Sequence, residues 1–530
     1  MKLLTEIKVK PNYSKEDILF AIKKKYGLFA DEILKWEIVK ESLDARKKPD
    51  IFMVLNVAAE VKKQALGKIK KLNDIIPNHE GIAPLMVNFE GKNPIVVGFG
   101  PAGMFVGLTL ALAGLKPIIL EQGKTVDERQ KDVDEFWKNL KLNKYSNIQF
   151  GEGGAGTFSD GKLASNVNNE YTKRCINEFI LNGAPNEIFY SHTPHIGSDN
   201  LKKVVKNIRE KIERFGGKIL FSTKFEGFDE VDGSIVKVFA SNVETGKTLE
   251  FETNSIVLAV GHSAIETYEL LKNKQFNLKQ KPFAMGVRIE GLQHDINMAQ
   301  YGDNNEGLPS ANYKLIEHLE NGRSVFSFCM CPGGVVVASS SEEGTIVTNG
   351  MSNYARDGRN ANSALLVNVA TDDFGSSDPL AGAYFQRKYE KLAFELGGCD
   401  YSAPAEKVKD FLSGNKTPEQ TEGRVKTTYL PKIKFADLSK CLPDFVTESL
   451  KLALVKFDRK VKGIANDDNL LIGVESRSSA PVQIVRDDNF MTNTKGVFVC
   501  GEGAGYAGGI TSSAADGVKC AEKVIEFLTK

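Results

Sequence analysis

Pro94-Ile95-Val96-Val97-Gly98-Phe99-Gly100-Pro101-Ala102-Gly103 decides the fold: a short apolar strand runs directly into G-x-G-x-x-G. Residues 104–113 favour a buried helix in which Gly107 permits close packing on a sheet, and residues 116–120 read as a second strand ending at Glu121. Strand, glycine turn, helix and strand make a βαβ unit. Its glycines let the backbone turn tightly against a pyrophosphate, and the helix amino terminus offers free N–H groups and a positive dipole. Glu121 follows Gly103 by 18 residues, where a carboxylate suits a ribose hydroxyl pair and disfavours a 2′-phosphate. The dinucleotide set is therefore Gly98, Gly100, Pro101, Ala102, Gly103, Glu121 and the adjacent Gln122. Residues 93–115 carry no charge and match the length of a membrane span, but the glycines and proline assign them to this unit.

Two later segments choose between FAD and NAD. Gly496-Val497-Phe498-Val499-Cys500 reads as a strand entering Gly501-Glu502-Gly503-Ala504-Gly505-Tyr506-Ala507-Gly508-Gly509, with a helix over residues 510–528. This resembles the carboxy-terminal flavin motif of two-dinucleotide-binding-domain flavoproteins. The resemblance implies that Glu502, with Gly501, holds a ribityl hydroxyl. The helix start at Gly509, Ile510 and Thr511 would face the flavin pyrimidine, where its dipole favours negative charge on the reduced ring. Ser255-Ile256-Val257-Leu258-Ala259-Val260-Gly261 resembles the apolar strand that such proteins carry between the two. A second GxGxxG after a strand is absent from the sequence, so a dedicated NAD(P)H domain is not expected.

Further motifs extend the likeness: residues 150–163, Pro194-His195-Ile196-Gly197-Ser198-Asp199, residues 327–334, Asn349-Gly350-Met351-Ser352 and Asn360-Ala361-Asn362-Ser363-Ala364. From Thr5 to the end the chain resembles the bacterial family of uncharacterised FAD-dependent dehydrogenases. It is more distantly similar to geranylgeranyl-reductase-like and fumarate-reductase-like flavoproteins. The resemblance implies FAD and an oxidoreductase fold without fixing a substrate.

The 530 residues suggest about three structural units. With 42% hydrophobic and 26% charged residues, composition excludes a disordered or collagen-like chain. A net charge of +1 gives no global reason for nucleic-acid or membrane binding. Seven scattered cysteines without repeated CxxC knuckles point to a reducing cytoplasm and no metal site. Met1-Lys2-Leu3-Leu4-Thr5-Glu6 meets charge too early for an export signal.

The expected fold is α/β: a discontinuous Rossmann-like FAD-binding domain with a strand-rich α+β cap and a small amino-terminal α+β module. Residues 1–90 hold the module and a linker. The FAD domain takes 91–281 and 485–530, and the cap takes 282–484. The module reads β-α-β-β: strand 4–9, helix 14–26 with Ser14 as N-cap, and strands 35–41 and 52–57. It carries a local charge of +4, including Lys23-Lys24-Lys25 and Arg46-Lys47-Lys48, but lacks an interleaved aromatic set. A solvated or docking face is the default, with RNA as the rival partner.

Flavin supplies the redox chemistry, so the protein needs positioning groups, charge control and a proton donor. Gly154, Gly156, Thr157, Ser159 and Lys162 form a loop able to approach the isoalloxazine, and Arg129 is a candidate for neutralising the pyrophosphate. Cys329 and Cys331 end an apolar strand, where alternation puts both thiols on one face as a flavin-facing pair or as buried structural cysteines. His262 and His195 are candidate proton donors, with structural hydrogen bonding the commoner role for each. Arg477 is the candidate anion contact, unless Glu475 pairs with it.

The leading expectation is an FAD-dependent oxidoreductase acting on a small organic molecule, with NAD(P)H or a protein carrier as transient donor. Its rivals are an RNA-modifying flavoprotein and a non-enzymatic redox sensor using Cys329 and Cys331.

Overall fold

Ile95–Val97 lies at the centre of a five-stranded sheet in the computed structural model, which describes residues 2–63, 80–83, 85–163, 169–303, 307–415, 417–418 and 423–530. Residues 64–79 and Pro84 of the expected module and linker fall outside this description. The strand order is Val497–Val499, Ile256–Leu258, Ile95–Val97, Ile118–Leu120, Lys218–Leu220, and every neighbouring pair is parallel. Four of the five are uninterrupted apolar triplets, as a parallel sheet covered on both faces requires, and the edge strand Lys218–Leu220 begins with an exposed lysine. Each fully buried Ile, Val or Leu contributes roughly 1.5–3 kcal/mol.

One face is covered by Pro101–Leu112, buried along nearly its whole length, and by the last helix, Ile510–Leu528. A Cβ on Gly107 would overlap the Ile119 side chain, and one on Gly517 would overlap the Ala102 carbonyl, so two glycines set the depth of these contacts. Phe225, Phe228, Val238 and Ala240, from the antiparallel strands Thr223–Val231 and Ser234–Asn242, cover the opposite face.

The strand-rich insertion forms a seven-stranded sheet in the order Ile316–His318, Ser324–Cys331, Asn360–Val369, Phe283–Leu292, Leu470–Glu475, Ala403–Lys407, Ile433–Phe435. Its pairs are antiparallel except the last. Asp444–Lys460 packs Val446, Leu450, Leu454 and Phe457 into its core.

The amino-terminal module has the β-α-β-β order, its sheet running Lys2–Val9, Phe52–Val61, Ile33–Asp44. Ser14 and Asp17 form a reciprocal capping box on Lys15–Tyr26, whose Ile18 and Ile22 are buried with Leu55 and Val57. Ile33–Asp44 and Phe52–Val61 extend several residues beyond the sequence expectation, because the hairpin ladder pairs the two strands from Ile33 opposite Val61 to Asp44 opposite Phe52. Lys23, Lys24 and Lys25 occupy the last helical turn, where the dipole favours cations. Lys48 donates to the Ala299 carbonyl at 2.6 Å, and Arg46 pairs with Asp44. Part of the basic patch is thus spent on contacts within the chain.

Candidate active site

Parallel strands place their following turns at one sheet edge, and the turns after Val97, Leu120, Leu258 and Val499 converge there. Gly98 has φ +95, and a Cβ there would overlap the Ala259 carbonyl; one on Gly103 would overlap the Gly98 carbonyl. Gly501 faces Ala102, and Gly503 packs on the Gly261 backbone. A Cβ on Gly154 would stand 2.9 Å from the Gly100 Cα, and one on Gly156 would stand 3.3 Å from Ile510. The glycine loop therefore runs from the first turn to the start of the last helix. Gly98, Gly100, Pro101, Ala102, Gly103, Gly154, Gly156, Gly261, Gly501 and Ile510 form one neighbourhood.

Glu121 ties that neighbourhood together. One carboxylate oxygen accepts from the Phe99 N–H at 2.8 Å, and the other from Gly123 at 2.9 Å and Gly151 at 3.0 Å. Glu121 and Gln122 line a crevice of about 620 Å³ with Gly98, Phe225, Val260 and Ser263. A second cavity, of about 660 Å³ between Phe374, Phe385, Tyr389 and Phe445 of the cap, is lined by no glycine-turn residue.

Glu502 lies at the same edge, its Oε1 3.2 Å from His262 Nδ1. The buried His262 Nε2 has no hydrogen-bond partner among the described residues. The turn is braced by Tyr268, whose hydroxyl donates to the Gly503 carbonyl at 2.7 Å, and by Asp516, which accepts from the Gly501 N–H and is held by Arg486. Gly509 is the N-cap of the last helix, and no side chain caps it. Lys281, which sequence reasoning missed, faces Glu502: burial lowers its pKa and that carboxylate opposes the shift. Its only local signal is its place at the entrance to the cap strand.

Several residues expected at the cofactor have side-chain partners within the protein. Arg129 is fully buried and donates to the carbonyls of Asn147, Ile148 and Glu152 at 2.6–2.8 Å, so it fastens the glycine loop and is not a pyrophosphate contact. Thr157 donates to the Glu152 carbonyl and Ser159 to that of Gly156, both within their own loop. The Thr511 hydroxyl goes to the Leu163 carbonyl. Lys162 turns to the cap, pairing with Asp160 at 3.0 Å and donating to the Met330 carbonyl.

Arg477 is not a free anion contact. It is buried against Glu390 at 2.8 Å and bonds to Ser263 and Ser341, while Glu475 pairs with Arg288 at 2.6 Å. His195 stacks on Tyr354 and bonds its carbonyl at 3.0 Å; burial lowers its pKa, which suits a structural histidine.

Strand alternation also fails at the cysteines. A bulge between Phe328 and Cys331 puts Cys329 at φ +44, and the Cys331 thiol lies 3.2 Å from the Cys329 carbonyl. Asp160 joins loop to cap: burial alone would raise its pKa, yet Lys162, Arg356 and Ser352 hold it well below the usual aspartate range.

The site fits FAD. Gly261, at φ +72, has open space where a Cβ would stand, so the turn leaves room for an extended group to pass. Beside it, the uncapped helix start offers N–H donors, and Glu121 and Glu502 offer carboxylate acceptors.

Residues 282–478 match the family described as "FAD-dependent protein, C-terminal domain-like", and residues 1–60 match a domain of unknown function. A Clostridium beijerinckii protein described as uncharacterized is 46% identical over 512 residues, covering 95% of this chain and 94% of its own. Two solved structures are distant. The Bacillus halodurans glycerol-3-phosphate dehydrogenase complexed with FAD has TM-score 0.37 and 11% identity, covering 83% of this chain and 64% of its own. L-proline dehydrogenase from P. horikoshii has TM-score 0.34 and 12% identity, covering 83% of this chain and 94% of its own. Among the described residues no helix is long and apolar enough to cross a membrane, and no cluster of metal-ligating side chains occurs. Near-complete alignment at 46% identity, with a cap of the FAD-dependent type, makes this chain a member of the bacterial FAD-dependent family that its motifs resemble, with FAD as its cofactor.

Proposed function

We propose that this protein is an FAD-dependent oxidoreductase that takes electrons from a diffusible hydride donor and passes them to an organic substrate beneath the cap. The observation that carries the reading is the convergence of four strand-end turns and the glycine loop at one sheet edge, facing a second sheet joined to it by the buried Asp160–Arg356 ion pair and by the Arg477–Ser263 hydrogen bond.

FAD supplies reversible two-electron chemistry in such a site. The backbone of Gly100, Pro101 and Ala102, at the start of its helix, is assigned to the pyrophosphate. Glu121 is assigned to the ribose and Glu502 to the ribityl chain. The N–H groups at Ile510 and Thr511 are assigned to the pyrimidine edge, where a helix dipole stabilises negative charge. His262, held by Glu502 and with its other ring nitrogen unpartnered, is the candidate for moving a proton.

The test is the visible spectrum of the purified protein, repeated anaerobically with NADH and then NADPH. Bleaching by either one supports a dehydrogenase or reductase with a transient nicotinamide site. Flavin bands that neither nucleotide bleaches would discard the hydride-donor half of the reading, and a protein that neither carries nor takes up flavin would discard all of it.

A further inference from the structure

The glycine loop meets the cap at Met330, and a cysteine stands on either side of that residue. Lys162 donates to the Met330 carbonyl, and Arg288 donates to the Cys329 carbonyl at 3.3 Å, so two cations grip the bulge that carries both thiols. Arg288 is itself locked by both Glu475 oxygens at 2.6 and 2.7 Å and by Asn362 at 2.8 Å. Leu163, next to Lys162, accepts from Thr511 in the first turn of the last helix. The bulge is therefore two short links from the helix start assigned to the flavin.

The two thiols are not equivalent. Cys331 is fully buried, whereas Cys329 is partly exposed, and the positive φ of Cys329 turns it out of the strand's alternation. An accessible thiol beside a buried partner and flanked by cations is the arrangement of a thiolate with a resolving cysteine.

We propose that Cys329 and Cys331 form a redox-active dithiol, with Cys329 as attacking thiolate and Cys331 as resolving thiol, and that the substrate class is a disulfide. This deepens the proposed function and rests on it for the electron supply. The Cys329 thiolate attacks one sulfur of the substrate disulfide; that S–S bond breaks, and the first substrate thiolate leaves and takes a proton. Cys331 then gives up its proton and attacks the Cys329 sulfur, releasing the second substrate thiol and leaving a Cys329–Cys331 disulfide. That disulfide returns to a Cys329 thiolate and a Cys331 thiol by taking two electrons and one proton from the anionic reduced flavin, which the hydride donor has reduced.

Charge supports the assignment of roles. The Cys329 pKa is lowered by hydrogen bonding with Cys331 and by Lys162 and Arg288, against burial and Asp160. Cys331 is raised by Cys329 and by burial. Glu475 and Tyr313 also face this cluster.

Anaerobic reaction with oxidised glutathione at neutral pH, followed by alkylation and peptide mass mapping, tests the proposal. Wild type should yield a Cys329–Cys331 peptide two hydrogens lighter, Cys331→Ser should trap glutathione on Cys329, and Cys329→Ser should do neither. Independently of any variant, alkylation of Cys329 in wild type should change little between pH 6.5 and 7.5, where an ordinary thiol speeds up roughly tenfold. Dithionite titration of the oxidised protein should consume about four electrons per flavin in wild type and about two in Cys331→Ser. An untrapped Cys331→Ser, or a Cys329 that alkylates like an ordinary thiol, overturns the assignment of the thiols. Equal electron counts overturn their link to the flavin. Trapping is read whether or not flavin is present, so a protein without FAD would fail the proposed function separately.

Discussion

Glu121 shows why single residues matter more here than their type suggests. Its carboxylate accepts three backbone N–H groups, one from its own turn and two from turns 22 and 30 residues away, which holds the crevice wall in shape. Glu121→Gln replaces one acceptor by an NH₂ group that faces a donor. The expected cost is about 1–3 kcal/mol in thermal unfolding of the apoprotein, with a weaker FAD affinity measured by fluorescence quenching. At this scale the sequence was legible where backbone geometry demands a residue type: Gly98, Gly103 and Gly501 stand where their motifs put them, each against a neighbour that excludes a Cβ. It was not legible for long side chains with remote partners. Arg477 meets Glu390, which lies 87 residues earlier, and Arg129 bonds only carbonyls, a partner that no residue type announces.

Two glycines in one turn separate holding a ligand from holding the fold. A Cβ on Gly100 would find only the Gly154 Cα, at 3.7 Å, and its backbone, at φ −76, suits alanine. A Cβ on Gly103 would overlap the Gly98 carbonyl. Gly100→Ala should therefore leave apoprotein stability within about 0.5 kcal/mol while lowering FAD affinity, because the added methyl group stands where the pyrophosphate must approach. Gly103→Ala should destabilise the apoprotein itself by about 1–3 kcal/mol in denaturant unfolding. Equal effects of the two on apoprotein stability would refute this division. Element types and order were readable because short apolar triplets followed by glycine turns suit a buried parallel sheet. The Cys329 bulge was not, since a non-glycine residue at positive φ leaves no trace in the apolar pattern.

At the scale of the molecule, a buried ion pair between Asp160 and Arg356 joins the glycine loop to the cap. Asp160 meets Lys162, Arg356 and Ser352 there, and its folded carboxyl binds a proton less readily than an unfolded one. The stability this supplies is complete above the ordinary aspartate range and drains as pH falls through that range toward the folded value. Asp160→Asn should lose about 3–5 kcal/mol at pH 7, because Arg356 and Lys162 lose their buried counter-charge. The gap between variant and wild type should narrow on acidification, as read from unfolding midpoints across a pH series. A constant gap would mean that Asp160 titrates alike in both states.

The account depends most on where the cofactor sits. Release of bound cofactor by heat from purified protein, with its identity and molar ratio read by chromatography, tests that directly when wild type and Gly100→Val are compared after incubation with FAD. Wild type should hold FAD near one per chain, and a folded Gly100→Val should hold almost none. Full occupancy in the variant, or a wild type that binds no FAD, would contradict the placement of the dinucleotide at Gly98–Gly103.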